Sequence, residues 1–120
     1  MHTKINGILR RGKYTERIEQ VIGLTQVQYL EWISFNSEEN MRWSNYATLW
    51  QFDLVIPASF DLTAEAQLLC AFNWSNIRPC IKAENAAKYN FILFEQIVAQ
   101  KVKAQDFIRK MQLLNNQLLI

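Results

Sequence analysis

Histidine is almost missing from this chain: of 120 residues the sole histidine is His2, close to the first residue. No internal imidazole can serve as general base, proton shuttle or metal ligand. That excludes any catalytic arrangement needing an internal histidine, and any zinc site of the usual Cys/His spacing. Cysteine is scarce as well. Cys70 and Cys80 form neither a C-x-x-C pair nor a disulfide framework, the pattern of a reducing compartment, and both are expected to be small core residues. No segment approaches the roughly 20 apolar residues of a membrane span, and the first residues hold no apolar core of signal-peptide length. An intracellular protein with no membrane partner is expected. Internal repeats, low-complexity tracts and flexible linkers are absent too. The 13 basic and 11 acidic residues leave a net charge of +2, too small to announce a nucleic-acid binder by itself.

What is present is apolar material. Half the residues are hydrophobic, enough for one domain, residues 1–120, with a real core. It divides into a helical part over 1–47, a strand–strand–helix core over 48–90 and a helical extension over 91–120. Residues 3–13 read as a basic amphipathic segment, with Ile5, Ile8 and Leu9 on one side and Lys4, Arg10, Arg11 and Lys13 near the other. Thr15 caps a short helix carrying Ile18, Val21 and Ile22, and Gly23 stops it. Thr25-x-x-Gln28 is a capping box, opening a helix that finishes near Asn36. An aromatic link, Met41 to Tyr46, then leads into a strand in which Trp50, Phe52, Leu54 and Ile56 alternate with Gln51, Asp53 and Val55. Asp53 therefore points away from the apolar face.

After Pro57 a capped turn at Phe60-Asp61-Leu62-Thr63 and a short helix over 64–71, with Leu68 and Leu69 inward, precede the returning strand over 74–81. Pro79 suits a strand edge. Helix resumes near Ala83, and from there to Ile120 no glycine or proline occurs. One long helix fits this, or two joined near residues 103–106, where the apolar spacing lapses; the lapse favours the broken helix. Phe91, Phe94, Ile97 and Val98 form one expected inward stripe, and Phe107, Ile108, Met111, Leu114 and Leu118 another.

The ordered motifs Ile22-Gly23-Leu24-Thr25, Met41-x-Trp43-x-Asn45-Tyr46, Trp50-x-x-Asp53-Leu54-x-x-Pro57, Phe60-Asp61-Leu62, Phe72, Asn76-Ile77-Arg78-Pro79 and Asn85-x-x-Lys88 resemble the HNH endonucleases of phages and large DNA viruses. The resemblance runs through most of the chain and implies an α+β fold of the ββα-metal type. It places Asp53 at the metal-ligand aspartate, Asn85 at the second protein ligand on the helix, and Asn76 at an asparagine that braces the loop. The general-base histidine of the family is Leu54 here. Leucine takes no proton, and general-base assistance is worth about 10²–10⁴-fold in rate.

The resemblance thus implies a pseudo-nuclease: either no cofactor, or a weakly held Mg²⁺ at Asp53 and Asn85. A nucleic acid is the expected partner through Arg10, Arg11, Lys13, Arg78, Lys82 and Lys88, with Arg17 nearby. A working Mg²⁺-dependent endonuclease with another base is the enzyme alternative. The third reading is an assembly protein, with a protein partner or a homodimer formed through the apolar C-terminal helix.

Overall fold

A computed structural model describes residues 14–56, 65–88 and 93–118. Helix α1 spans Glu16–Ile22. The Thr15 hydroxyl accepts from the Ile18 amide, and Gly23 ends the helix at φ 86°, in the left-handed region. Helix α2, Gln26–Asn36, opens on the complete capping box: Thr25 accepts from the Gln28 amide while the Gln28 side chain accepts from the Thr25 amide. A single 3₁₀ turn at Trp43–Asn45 leads into β1, Trp50–Leu54. Helix α3 is Glu65–Phe72, a second 3₁₀ turn is Trp74–Asn76, and β2 is Ile77–Ile81. Helix α4, Lys82–Lys88, follows β2 directly, and the 25-residue α5 runs Phe94–Leu118. The architecture is α+β: a small two-stranded sheet among helices, with a long helix last. The expected basic segment over 3–13 and the capped turn at Phe60 to Thr63 lie outside the described residues.

Strands β1 and β2 pair antiparallel, with Trp50 opposite Ile81, Phe52 opposite Pro79 and Leu54 opposite Ile77. Two strands alone are marginal in water, so this hairpin depends on the helices packed against it. Trp50, Phe52 and Leu54 enter the core together with Ile22, Tyr29, Trp32, Ile33, Leu68, Phe72, Ile77 and Phe107. Within α2 only Tyr29, Trp32, Ile33 and Asn36 are buried, so the wide apolar spread of that helix resolves into one inward face, with Val27 left exposed. Trp32 sits edge-on to Trp74 at 4.9 Å and to Phe107 at 5.2 Å, a preferred aromatic geometry. The half-exposed Trp43 closes the other end over Trp50 and Phe52. Cys80 is buried as expected, whereas Cys70 on α3 is exposed and not a core residue.

Two expectations for the C-terminal segment are corrected. The helix is continuous through residues 103–106. The inward stripe does not lapse there, because the buried Gln100 and Ala104 carry it to Phe107 and Met111. Gln100 qualifies as a core residue through its hydrogen bonds: its Nε2 donates to the Ser75 carbonyl at 2.8 Å and to the Ile77 carbonyl at 3.2 Å. In the upstream stripe Ile97 is partly buried, but Phe94 and Val98 face outward, as do Ile108 and Leu114 downstream.

Gln100→Leu should lower unfolding stability by about 1–3 kcal/mol in urea titrations, since it strips buried carbonyls of a donor. Gly23→Ala should cost about 1–2 kcal/mol by the same measurement. Its backbone is left-handed, and an added Cβ would lie 3.3 Å from Asn73 Nδ2.

Candidate functional site

The period of the β-strand decides what faces what. Trp50, Phe52 and Leu54 take the core side of β1, which leaves Gln51 and Asp53 on the other face. Asp53 is nonetheless only 5 % exposed. Its cross-strand neighbour in the register is Arg78, and Arg78 Nε donates to Asp53 Oδ2 at 3.0 Å. The guanidinium is also 3.7 Å from Cys80 Sγ. A carboxylate this far from water is tolerated because a cation accompanies it; removing one partner of such a pair is far more costly than never having had it. Leu54 belongs to the hydrophobic core, packed on the opposite side of the strand from Asp53.

Asn76 ends the 3₁₀ turn before β2, and its side chain bonds to backbone just past β1 and within α3. Oδ1 accepts from the Ile56 amide at 2.9 Å. Nδ2 donates to the Ile56 carbonyl at 3.1 Å and to the Ala71 carbonyl at 3.0 Å. One amide thus ties the end of β1 to the C-terminal turn of α3. Asn85 lies partly buried on α4, which packs on both strands and is anchored where the Lys82 amide donates to the Leu49 carbonyl at 2.8 Å.

Whether Mg²⁺ suits this place follows from the donors. Hard divalent cations take several oxygen ligands, with carboxylates dominant. Among the described residues no three His, Cys, Asp or Glu side chains gather to hold a metal. Asp53 already accepts a cation on Oδ2. Among the described residues, then, Asp53 has no second carboxylate beside it to share a divalent cation.

Of the basic candidates, Arg78 is spent on Asp53, while Lys82 is exposed and reaches the Ala47 carbonyl at 3.3 Å. Lys88 ends α4, and Arg10, Arg11 and Lys13 lie outside the described residues. Arg17 forms a bidentate pair with Glu65 at 2.9 and 2.8 Å, joining α1 to α3. That hydrogen-bonded guanidinium holds the Glu65 carboxyl below its usual range. Two clefts flank the hairpin, built from residues too distant in sequence for any motif to signal. One, about 680 Å³, runs between Ile56, Cys70, Ala71, Asn76, Ile97 and Ala104. The other, about 250 Å³, is of mixed charge, lined by Glu38, Glu84 and Glu95 and by Arg78 and Lys103.

Arg78→Met should destabilise the fold by about 2–4 kcal/mol, and adding Asp53→Asn should recover part of that loss. A double-mutant cycle of urea midpoints measures both.

Comparison with known proteins finds relatives in a large DNA virus. The chain is similar to an uncharacterized protein of Acanthamoeba polyphaga mimivirus, 33 % identical over 114 residues, covering 94 % of this chain and 50 % of that protein. A second uncharacterized protein of the same virus is 26 % identical over 105 residues, covering 87 % of this chain and 46 % of its own length. The chain therefore spans about half the length of the curated relatives it matches. No protein-family model matches it, and no solved structure matches it at a significant level. Among the described residues no helix is long and apolar enough to cross a membrane.

Proposed function

We propose that this chain is a catalytically degenerate HNH-like protein, a ββα scaffold that holds nucleic acid without cutting it efficiently. The observation that carries the reading is the Asp53–Arg78 ion pair at 3.0 Å, standing where the resemblance puts a metal-bound aspartate. In this reading the Arg78 guanidinium supplies the positive charge beside Asp53 that a metal supplies in a working nuclease. Leu54 completes the loss. It offers no basic atom, and its side chain is packed in the core on the far side of β1. The order β1, β2, α4, with Asp53 on the first strand, Asn76 bracing the loop and Asn85 on the helix, supports the ancestry. The similarity to proteins of a large DNA virus agrees with the viral branch of the resemblance.

Lys82, exposed at the start of α4 beside the paired strands, is the cation this reading assigns to phosphate. An outward apolar stripe on α5 favours assembly as a second role of the same scaffold.

Incubated with supercoiled plasmid and Mg²⁺ or Mn²⁺, the protein should leave the DNA intact. Nicking abolished by Asp53→Ala would overturn the reading. Leu54→His should not create cleavage, and it should cost stability because the imidazole enters an apolar core. Fluorescence anisotropy with DNA and RNA oligonucleotides should show retention that falls steeply with salt, the slope decreasing by about 1 in Lys82→Ala. Absence of retention at low salt would remove nucleic acid as the partner.

A further inference from the structure

The face of α5 that points directly away from the core carries Phe94, Val98, Val102, Gln105, Arg109 and Leu113. Phe94 is 76 % exposed, Val98 45 %, Val102 52 % and Leu113 58 %. The inward face needs none of them, since Gln100, Ala104, Phe107 and Met111 complete it. A solvent-facing stripe on a terminal helix is ordinarily polar, so apolar residues there call for a covering surface. The stripe advances in steps of four, four, three, four and four residues. Its eleven-residue period stays close to 3.6 residues per turn, so it keeps to one side of a nearly straight helix.

The spacing of this stripe is the same from both ends, with its apolar half set against its more polar half. About a point between Lys103 and Ala104, Phe94 mirrors Leu113, Val98 mirrors Arg109, and Val102 mirrors Gln105. Two copies of α5 laid antiparallel about a two-fold axis at that point would set every stripe residue against another. Phe94 would meet Leu113 at each end, Val102 would meet Gln105 beside the axis, and the Arg109 stem would cover Val98. Charge favours the same direction. Glu95 lies beside the stripe near the N-terminal end, and Arg109 and Lys110 lie near the other. Antiparallel packing brings Glu95 of one copy to the basic end of the second, whereas parallel packing would set like charge on like and align the helix dipoles. Arg109 is within reach of Asp106 on its own helix, at 3.6 Å and exposed, which leaves the guanidinium on the surface for a further carboxylate.

We infer that the partner of this face is a second copy of the chain, in an antiparallel, two-fold α5–α5 contact centred between Lys103 and Ala104. An isologous interface needs a self-complementary patch, and here the exposed apolar residues, with Glu95 of each copy brought to the Arg109 end of the other, supply one. The inference does not depend on the nucleic-acid reading, because it uses no residue of the hairpin.

Analytical ultracentrifugation over a concentration series should show a reversible dimer. Val98→Glu with Val102→Glu should raise its dissociation constant about a hundredfold or more, while circular dichroism shows the helix content unchanged. Glu95→Arg and Arg109→Glu should each weaken the dimer, and the double exchange should restore it, which only the antiparallel pairing allows. In a Cys70→Ser background, a mixture of Val102→Cys and Gln105→Cys proteins should form the mixed disulfide under mild oxidation. A monomer at every concentration would overturn the inference and assign the face to another partner, such as the remaining half of a longer chain. A dimer indifferent to Val98→Glu and Val102→Glu would overturn it as well, placing self-association on a different surface.

Discussion

The carbonyl of Ile77 is the point on which the arrangement of this protein depends. It accepts the Trp32 indole N–H at 2.9 Å and the Gln100 amide at 3.2 Å. A two-stranded sheet has little stability of its own. Here two helices, themselves in contact, reach the same atom at the start of β2. Trp32 brings α2 and its aromatic cluster with Trp74 and Phe107, and Gln100 brings α5 together with a second bond to Ser75. Polar groups inside a core normally cost stability, but these are fully used, and they fix the hairpin in direction as well as position. The candidate site inherits that placement.

On this frame the hairpin presents two opposite faces with opposite chemistry. The core face takes Leu54 and shields it from anything a solvent-borne substrate could reach. The other face holds Asp53 against Arg78, with Glu38, Glu84, Glu95 and Lys103 around the adjacent cleft. A buried ion pair seldom adds net stability compared with an apolar pair, because both charges must leave water. Under the proposed HNH-like reading, Arg78 compensates the charge of an acid that a metal would otherwise accompany. The braced loop at Asn76 fits the same picture, as a backbone shape maintained by three side-chain hydrogen bonds.

Much of the local structure was legible from the residues. Thr15, Gly23, and the Thr25 and Gln28 pair mark helix ends through short-range hydrogen bonds and a left-handed backbone, which need no tertiary context. The alternation set the inward face of β1 from Trp50 to Leu54 for the same reason, but past the strand end it fails, with Val55 buried and Ile56 exposed. The long helix was less legible. The apolar spacing lapses at residues 103–106, yet the helix and its inward face continue through Ala104, and the polar Gln100 is buried because two carbonyls from another part of the chain meet it. Phe94 and Val98 read as inward because they are apolar, and they face out because α5 packs on the hairpin through other residues.

Sequence alone determined that no internal histidine exists, that position 54 is leucine, and that helix caps and strand alternation stand where they do. Those are properties of residue identity and of neighbours a few positions apart. Only the tertiary structure decided that Asp53 faces Arg78, that Gln100 belongs to the core, and which side of α5 meets solvent. Each of these joins residues 20 or more positions apart, or depends on what another element covers. Charge pairing and burial are relations across space, and a period along the chain records only half of them.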